Sequence, residues 1–598
     1  MTTTVSTRVD EVFDAIAAAD RPEVFVTLRP RAEVAADHAR SLAQGGPLSG
    51  MILAVKDNVD VAGLPTTAAC PGYAYTPDAD APAVAALRAA GAVVIGKTNL
   101  DQFATGLVGT RSPYGAVRDS RRPDHISGGS SSGSAVAVAL GFADLAIGTD
   151  TAGSGRIPAA LQGIVGIKPT VGAISTVGVV PACADYDTVT IFARTLDSAD
   201  AAMTAMAAAA GPSLFAADTP LAAPENPVIA VPADLPELDE AWRAAFAEAV
   251  ARVEAAGMTV RRIDLTPFLA AAKLLYDDAL VAQRYDAVGD FIASHADDAS
   301  GAGLDPTVTA IVSAADRFSA VDLLRARRRL AALRDEAMAN WGDATALLVP
   351  TAPFHPTIAA VRADPVGVNS RMGTYTNFCN LLDLCGLAIP AGRVPPRWST
   401  ADAVVESAYP DPAPSSPPRW SSADEPLGES VYRDLVPDNS AQFGVTLVGR
   451  ALHDGVLIDL ARRISGAGTP APSWVEAVAP TVELAVFGAH MRGGVLAHEL
   501  ANRGARWNGE VTTSSSYRLV ALDTVPPKPG LIRDPAGGRA IHGERWTLSP
   551  AALGSFLAAL PEPMMLGKVE LSDGTWATGF GCAADAGAAG SELDRDRW

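Results

Sequence analysis

The chain has 598 residues, of which 48% are hydrophobic and 19% are charged. Such a composition can bury a large core, so it excludes disorder over most of the chain, and the length predicts two or three domains. The 47 basic and 67 acidic residues give a net charge of −20, which repels phosphate backbones and anionic lipid. We therefore expect no nucleic acid and no membrane among the partners.

The N-terminal segment and the cysteines bear on the location of the protein. Acidic side chains stand where a signal peptide has an apolar segment, and no apolar run is long enough to span a membrane. The five cysteines form no CxxC pattern, which argues against a disulfide framework or a zinc site. We expect a cytoplasmic protein that uses no metal and no other cofactor.

Helices and short apolar strands alternate along the N-terminal part of the chain. The predicted elements, in order, are a helical lead-in from about Val9 to Leu28, a strand Ile52 to Val55, a helix Pro82 to Ala90, a strand Val93 to Ile95, a helix from about Ser134 and a strand Leu145 to Ile147. This alternation predicts an α/β fold in which a mixed β-sheet core is covered by helices on both faces.

Two later segments have apolar residues at helical spacing among charged residues, as solvent-facing helices do, at 236–262 and 315–342. Residues 393–440 differ, because they are rich in Pro, Ser and Asp and contain a near-duplicate, with 395–402 recurring at 417–424. We interpret residues 393–440 as a long surface insertion and assign it no role.

A second domain is predicted to begin near residue 480, where the composition changes. Strands are expected from Val482 to Phe487 and from Tyr517 to Leu522, and a helix from Leu548 to Leu560. The expected division is therefore a large domain of residues 1–470 and a smaller α+β domain of residues 480–598.

Two turns rich in glycine and serine flank one α/β unit, SGGSSSGS at residues 127–134 and GTDTAGSGR at residues 148–156. Consecutive backbone N–H groups in such turns can form an anion-binding nest, and a nest beside a serine hydroxyl suits acyl transfer. The GxxxxGK[ST] order of a phosphate-binding loop does not occur in them. Taken alone, their composition is also typical of flexible surface loops.

Further motifs make the pattern specific: VKDN at residues 55–58 precedes the two turns, and GIKPT at residues 166–170 follows them. Together these motifs resemble the amidase signature family, whose members hydrolyse amides with a Ser-cis-Ser-Lys triad. The resemblance covers about residues 40–465 and implies the amidase-signature fold.

Matching the motifs residue by residue implies that Lys56 is the base, Ser130 the cis serine and Ser154 the nucleophile. The chemistry supports this reading, because a serine hydroxyl needs a base and neither turn contains a histidine. A lysine can act as that base near neutral pH only if its pKa falls by about 3 units. Burial beside the apolar strand that precedes Lys56 can lower the pKa in this way.

Other residues of the two turns are expected to assist. The backbone N–H groups of Thr151, Ala152, Gly153 and Ser154 are the natural oxyanion hole. Gly129 and Ser131 are expected beside the substrate, whereas Asp150 and Arg156 are expected to organise the loops and not to react.

The variant AGSGRIPAA at residues 152–160, with several longer matches, resembles the allophanate hydrolase branch of the family. In that branch a Tyr followed eight residues later by an Arg holds the substrate, which implies Tyr276 for orientation and Arg284 for the allophanate carboxylate. Two turns of helix would place both on one face, which a purely structural pair would also show. The alternatives are a broader amidase, the glutaminase component of an amidotransferase or an inactive scaffold, and the intact triad argues against the last.

The C-terminal part resembles the small second domain of allophanate hydrolases, which has a γ-glutamylcyclotransferase-like fold. The motif VFGAHMRG at residues 486–493 carries the resemblance, and it implies His490 in the decarboxylation of N-carboxycarbamate. A structural hydrogen-bonding role for His490 is the alternative, and Glu544 is either an acid/base group or a satisfied strand carboxylate. The resemblance also implies a functional link to a biotin-dependent urea carboxylase or to biuret degradation, and a homodimer.

Overall fold

The computed structural model describes residues 7–210, 213–395, 440–466 and 471–598. Nearly all of the predicted insertion, residues 396–439, lies outside the described residues. The elements are labelled below in chain order, helices and strands separately.

The larger part of the chain contains sixteen described α-helices and eleven strands. Helices α1 to α16 are Thr7–Ala18, Arg31–Gln44, Pro82–Ala89, Ser132–Ala139, Ile157–Gln162, Leu196–Ala208, Glu240–Ala255, Thr266–Asp277, Ala282–Ser294, Ala299–Ala302, Pro306–Ser313, Ala320–Trp341, Ile358–Ala363, Gly367–Met372, Phe378–Leu381 and Asp454–Ile464. Strands β1 to β11 are Phe25–Leu28, Ile52–Lys56, Val93–Thr98, Leu145–Asp150, Val165–Lys168, Thr188–Ala193, Val228–Pro232, Thr259–Ile263, Ala346–Pro350, Leu384–Val394 and Ala441–Arg450.

These strands form one mixed sheet in the order β1-β3-β2-β4-β6-β5-β10-β11-β9-β7-β8. Strand β2 pairs in parallel with β3 and β4, whereas β4 and β6 are antiparallel. Every residue of β2, β3, β4, β5, β6 and β9 is buried, as expected for strands covered on both faces. The predicted mixed sheet between helical layers is confirmed.

Helix α4 lies in the centre of this part, and all of its residues from Ser132 to Val138 are buried. Small side chains allow this close packing. A Cβ added at Gly133 would lie 2.3 Å from the carbonyl oxygen of Val24 and 2.7 Å from the amide of Asn99, so only glycine fits there. The N-terminus of α4, which follows Ser130 and Ser131, is therefore held deep inside the molecule.

The structure corrects some predicted boundaries. The helical lead-in ends at Ala18, and the residues to Leu28 form a 3-10 turn and the edge strand β1. The predicted helical segment 236–262 divides into α7 and strand β8, because Gly257 has a φ of +82° that ends the helix. The short strands predicted at 52–55 and 145–147 are confirmed and extend to Lys56 and Asp150.

The C-terminal residues form eight strands in two sheets with three short helices. Strands β12 to β19 are Val482–Val486, Arg506–Thr512, Tyr517–Leu522, Lys528–Arg533, His542–Leu548, Met564–Glu570, Trp576–Cys582 and Ser591–Leu593. Helices α17 to α19 are Ala497–Ala501, Pro550–Ala558 and Ala584–Ala589. The sheet orders are β13-β16-β12-β18-β17 and β15-β14-β19, an α+β arrangement as predicted.

Backbone hydrogen bonds join this part to the larger one. The amides of Leu221 and Ala222 both donate to the carbonyl of Gly504, at 2.9 and 3.2 Å, and the amide of Ala551 donates to the carbonyl of Ala217 at 2.9 Å. None of the described helices has the length and apolar character needed to cross a membrane.

Candidate active site

Lys56 is the last residue of β2, and its side chain is fully buried. Its Nζ donates to Ser130 Oγ at 2.8 Å and to Thr149 Oγ1 at 2.7 Å. Strand β2 brings Lys56 to this position beside β4, which carries Thr149. The structure therefore brings together the lysine and the first serine that the sequence analysis selects.

Burial lowers the pKa of Lys56 to about 7, although Asp101, Asp187 and Asp150 act in the opposite direction. Transfer of an ammonium group out of water disfavours the charged form, and here that cost exceeds the attraction of the three carboxylates. A large fraction of Lys56 is therefore neutral near pH 7, as a base in this position must be.

The turn that carries Ser130 is built around Asp101. One oxygen of Asp101 accepts the amides of Val108 and Gly109, and the amide of Asp101 donates to the Ser130 carbonyl at 3.1 Å. A Cβ at Gly129 would lie 2.1 Å from the Asp101 carboxylate, so this position requires glycine. The peptide bond between Gly129 and Ser130 is cis.

Gly129 and Ser131 have their polar groups engaged within the protein. The amide of Gly129 donates to the Leu107 carbonyl at 2.9 Å. The hydroxyl of Ser131 donates to the Thr149 carbonyl at 3.0 Å and accepts the Thr149 amide at 3.2 Å. These contacts give both residues a structural role, and the substrate contact expected from the sequence stays a prediction.

Ser154 lies in the turn between β4 and α5, and 2% of its surface is exposed. The turn is organised by Asp150, whose carboxylate accepts the amides of Gly153 and Gly155 at 2.9 and 3.0 Å. Arg156 donates to both oxygens of the same carboxylate, each at 2.9 Å. Asp150 and Arg156 thus hold the shape of the turn, as predicted.

The Gly153 amide therefore already has an acceptor inside the turn. This contact removes it from the predicted set of oxyanion donors, since an amide that serves a carboxylate is not free for a substrate oxygen. The set that we propose is reduced to the amides of Thr151, Ala152 and Ser154.

We expect Arg156→Met to lower the free energy of unfolding by about 3 to 5 kcal/mol, because it leaves the Asp150 carboxylate buried without its partner. Both side chains of the pair are fully buried. Urea unfolding followed by circular dichroism measures the change. The matched control is Arg88→Met, which breaks a pair whose arginine is 42% exposed and should change the stability little. Equal effects of the two substitutions would contradict the role given to Arg156.

Arg284 is a buried arginine near the nucleophile turn. Its guanidinium donates to Tyr276 Oη at 3.0 Å and to Thr105 Oγ1 at 2.9 Å, and it lies 5.0 Å from the centre of the Tyr276 ring. Its Nε is buried without a hydrogen-bond partner, and none of the described carboxylates forms a salt bridge with it. Asp187, which accepts from the Thr151 hydroxyl, is one of the groups that raise the pKa of Arg284.

Tyr276 and Arg284 meet, but one continuous helix does not carry them both. Tyr276 lies near the end of α8, the chain is extended at Asp278 with φ −132° and ψ 179°, and a 3-10 turn leads into α9 with Arg284. The expectation that two turns of one helix align the pair is therefore wrong. The interruption of the helix at Asp278 changes the direction of the chain and thereby brings the two side chains into contact. Residue spacing does not reveal this change of direction.

The C-terminal part contains a small cavity of about 20 Å³ lined in part by His490, Lys528 and Phe580. His490 Nε2 lies 3.0 Å from a Glu499 oxygen, and the imidazole stacks on Phe580 at 5.0 Å. Burial lowers the pKa of His490, although Glu499 acts in the opposite direction. His490 is therefore mainly neutral at neutral pH and faces a space with room for about one water molecule.

Glu544 is buried and accepts the Arg492 amide at 2.5 Å. Glu544 lies on β16 next to the loop that carries His490. Of the two roles considered from the sequence, an acid/base group or a hydrogen-bonded strand carboxylate, this position fits the second. Among the described residues, no group of histidine, cysteine and acidic side chains is arranged to hold a metal ion.

Comparison with known proteins supports these observations. A sequence model of the amidase family matches residues 9–457, and one described as the allophanate hydrolase C-terminal domain matches residues 482–594. Urea amidolyase of Lachancea kluyveri is 39% identical over 568 residues, which are 90% of this chain and 28% of that protein. This chain thus spans little more than a quarter of that curated relative.

Solved structures extend the comparison. Kluyveromyces lactis allophanate hydrolase is 34% identical with a TM-score of 0.81, over 99% of this chain and 95% of that one. A crystal structure described as an amidase is 27% identical with a TM-score of 0.60, over 78% of this chain and 96% of that one. The chain belongs to the amidase family, and the predicted amidase-signature fold is confirmed. Its similarity to allophanate hydrolase continues through the C-terminal part.

A different relative covers less of the chain. One component of the glutamyl-tRNA(Gln) amidotransferase of Thermus thermophilus is 33% identical over 388 residues, which are 60% of this chain and 81% of that protein.

Sequence reasoning missed several residues that shape the site. Thr149 carries no conspicuous signal, because it stands at the end of a strand directly before the Asp150 turn. Asn380, whose amide donates to the carbonyls of Asp150 and Tyr186 at 2.8 and 2.9 Å, is far away in sequence. No feature of the sequence around Asn380 indicates these contacts. For Thr149, the only local pattern is the order Gly-Thr-Asp at the end of β4, which places a hydroxyl directly before Asp150.

Proposed function

We propose that this chain hydrolyses the amide of allophanate and that Lys56, Ser130 and Ser154 perform the reaction. The observation that carries the substrate assignment is Arg284, a fully buried guanidinium without a carboxylate partner among the described residues, near the nucleophile turn. Asp187 lies near enough to raise the pKa of Arg284, but no described carboxylate contacts the guanidinium directly. The carboxylate of an anionic substrate can therefore form the direct ion pair that the described residues do not provide.

The reaction begins with a proton relay. Neutral Lys56 takes the proton of the Ser130 hydroxyl, Ser130 takes that of Ser154, and the Ser154 oxygen attacks the amide carbon. The amides of Thr151, Ala152 and Ser154 stabilise the oxyanion. Protonated Lys56 then returns its proton through Ser130 to the leaving nitrogen, which departs as ammonia, and water hydrolyses the acyl ester on Ser154 by the same relay.

The guanidinium of Arg284 binds the N-carboxylate, and the Tyr276 hydroxyl orients it. Arginine suits this role because its planar fork can donate two hydrogen bonds to one carboxylate. The name of the solved relative, allophanate hydrolase, agrees with a substrate that presents an amide and a carboxylate together.

The second candidate function is a broader amidase or the glutaminase component of an amidotransferase. Both would use the same triad, and the amidotransferase relative from Thermus thermophilus matches 60% of the chain. The C-terminal match to the allophanate hydrolase domain favours allophanate over these alternatives. An inactive scaffold is disfavoured because Lys56 is neutral enough to act and contacts Ser130.

We further propose that residues 1–470 and 480–598 are the two domains, the second with a γ-glutamylcyclotransferase-like fold and acting on the N-carboxycarbamate released by the first. The name urea amidolyase, shared by the curated relatives from two yeasts, agrees with a supply of allophanate by a biotin-dependent urea carboxylase. We also propose that the protein is a homodimer and that it acts in the cytoplasm.

The test of the substrate is ammonia release by the purified chain on allophanate, biuret, malonamate, glutamine and a simple aliphatic amide. We expect kcat/KM for allophanate to exceed that for the aliphatic amide by at least about 100-fold, as one buried ion pair with the substrate provides. Ser154→Ala serves as the blank. Equal rates across the neutral and charged amides would show a broad amidase and overturn the assignment to allophanate.

We expect His490→Ala to leave the first ammonia release within about 2-fold of the unchanged chain, since the His490 cavity is lined by C-terminal residues and not by the triad. The same variant should slow CO₂ formation by about 100-fold, the usual contribution of one acid or base. Both products are measured in the same reaction. The matched control is His542→Ala, because His542 lies on β16 and is half-exposed. If both variants form CO₂ at the unchanged rate, His490 has only the structural role.

A further inference from the structure

Thr149 is the one described hydroxyl besides Ser130 that contacts the Lys56 amine, and the relay above does not use it. Its side chain is 3% exposed, and its Oγ1 accepts from Lys56 Nζ at 2.7 Å, slightly closer than Ser130 Oγ at 2.8 Å. A hydroxyl this close to the base affects the direction in which the amine presents its lone pair.

The chemistry of a neutral amine makes that direction decisive. A neutral lysine has two N–H donors and one lone pair, and only the lone pair can take the Ser130 proton. With Ser130 as its sole partner, the amine would rotate about its terminal bond and often point an N–H at Ser130. A second hydroxyl that accepts an N–H removes this freedom.

We propose that Thr149 is a positioning residue that accepts one N–H of Lys56 and thereby turns the lone pair of the amine toward Ser130. This inference deepens the proposed function and rests on Lys56 as the base. It assigns to Thr149 a part in the reaction although its described side-chain contacts do not include the attacking oxygen of Ser154.

The surroundings of Thr149 hold the hydroxyl in place. Its amide and carbonyl are both bonded to the Ser131 hydroxyl, and the residue pairs with Val189 of β6. Ser131 directly follows Ser130 in the chain. The same short segment therefore supplies the hydroxyl that gives up its proton and fixes the strand that orients the base.

Thr149→Val tests the proposal, because valine keeps the shape of the side chain and removes only the hydroxyl. We expect kcat for allophanate to fall by about 10- to 100-fold with KM unchanged, as loss of one aligned catalytic hydrogen bond does. Thr149→Ser, which retains the hydroxyl, should recover activity to within about 3-fold of the unchanged chain.

The pH profile gives a readout that a purely structural role would not move. An acceptor hydroxyl stabilises the charged amine, so its loss should shift the acid limb of kcat to lower pH. The charged groups that act on Lys56, namely Asp101, Asp150 and Asp187, remain in the variant. For Thr149→Val we therefore expect a lower maximum kcat together with an acid limb of the kcat profile that lies at lower pH than in the unchanged chain.

Thr190→Val is the matched control. Thr190 lies on β6 opposite Gly148, and its buried hydroxyl has no hydrogen-bond partner among the described residues. We expect this variant to retain kcat, and thermal unfolding of all variants separates folding defects from kinetic ones. Unchanged kcat in Thr149→Val, or a Thr149→Ser variant as slow as Thr149→Val, would overturn the proposal. Lys56→Met in the same assay tests the proposed function separately, since full activity of that variant would remove the base itself.

Discussion

Replacing Lys56 with methionine is expected to lower kcat for allophanate by at least about 1,000-fold, because the relay then has no base. Methionine has nearly the volume of lysine and suits the apolar surroundings of β2. The measurement is initial-rate ammonia release under saturating substrate. The matched control is Lys568→Met, whose amine lies on the exposed β17 and contacts Thr578. A Lys56→Met variant that retains a tenth of the activity would contradict the assignment of the base.

The same residue sets the pH dependence of the unchanged chain. Only neutral Lys56 accepts a proton, and its pKa is about 7. Activity should therefore be low at pH 5, rise tenfold per pH unit up to about pH 7 and then level off. A rate that falls as the pH rises from 6 to 8 would require a protonated group as the acting species and would contradict this mechanism.

Lys56→Met should also make the folded state more stable. The pKa of Lys56 is lower in the folded chain than its ordinary value of 10.5, so the unfolded chain binds more protons between pH 10 and pH 7. The lysine chain therefore loses stability as the pH falls through that interval, by on the order of 4 kcal/mol for a shift of about 3 units. Denaturant unfolding at pH 9.5 and pH 7 should show the gap between the two chains widening at the lower pH.

Arg284→Gln is expected to lower kcat/KM for allophanate by at least about 100-fold and to change that for a neutral aliphatic amide by less than about 3-fold. Glutamine retains donors for Tyr276 and Thr105 but cannot neutralise a carboxylate. The quantity to measure is the ratio of the two kcat/KM values in each variant. An equal loss for both substrates would mean that Arg284 only holds the structure together.

Tyr276→Phe provides a graded comparison for Arg284. The aromatic ring that lies under the guanidinium remains, and only the hydroxyl at 3.0 Å is lost. We expect Tyr276→Phe to lower kcat/KM for allophanate by about 10-fold, because the arginine keeps its charge but loses one contact that orients it. This value lies between those of the unchanged chain and Arg284→Gln.

The sequence was sufficient for those parts of the site whose chemistry is local. The strand ending at Lys56, the turn before α4 and the turn after β4 are each defined by a few consecutive residues, so pattern reasoning found all three. The chemistry also required a lysine with a lowered pKa, and the structure supplies the burial that lowers it.

Contacts that depend on the three-dimensional path of the chain were beyond that reasoning. The use of the Gly153 amide by Asp150 depends on the path of the turn, and the approach of Tyr276 and Arg284 depends on the break at Asp278. Neither is encoded in residue type or spacing. The same limit applies to Thr149, since nothing in its own sequence neighbourhood reveals that Lys56 lies beside it.

The junction between the two parts of the molecule has a consequence for how such a chain tolerates change over evolution. The amides of Leu221 and Ala222 both bond to the Gly504 carbonyl, and the amide of Ala551 bonds to the Ala217 carbonyl. Main-chain bonds of this kind do not depend on side-chain identity, although the side chains of Leu221 and Ala222 are themselves buried. Insertion or deletion of a single residue, by contrast, displaces the donors from their acceptors. Related chains should therefore keep the length of segment 217–222 constant and keep its buried positions, such as Leu221 and Ala222, apolar.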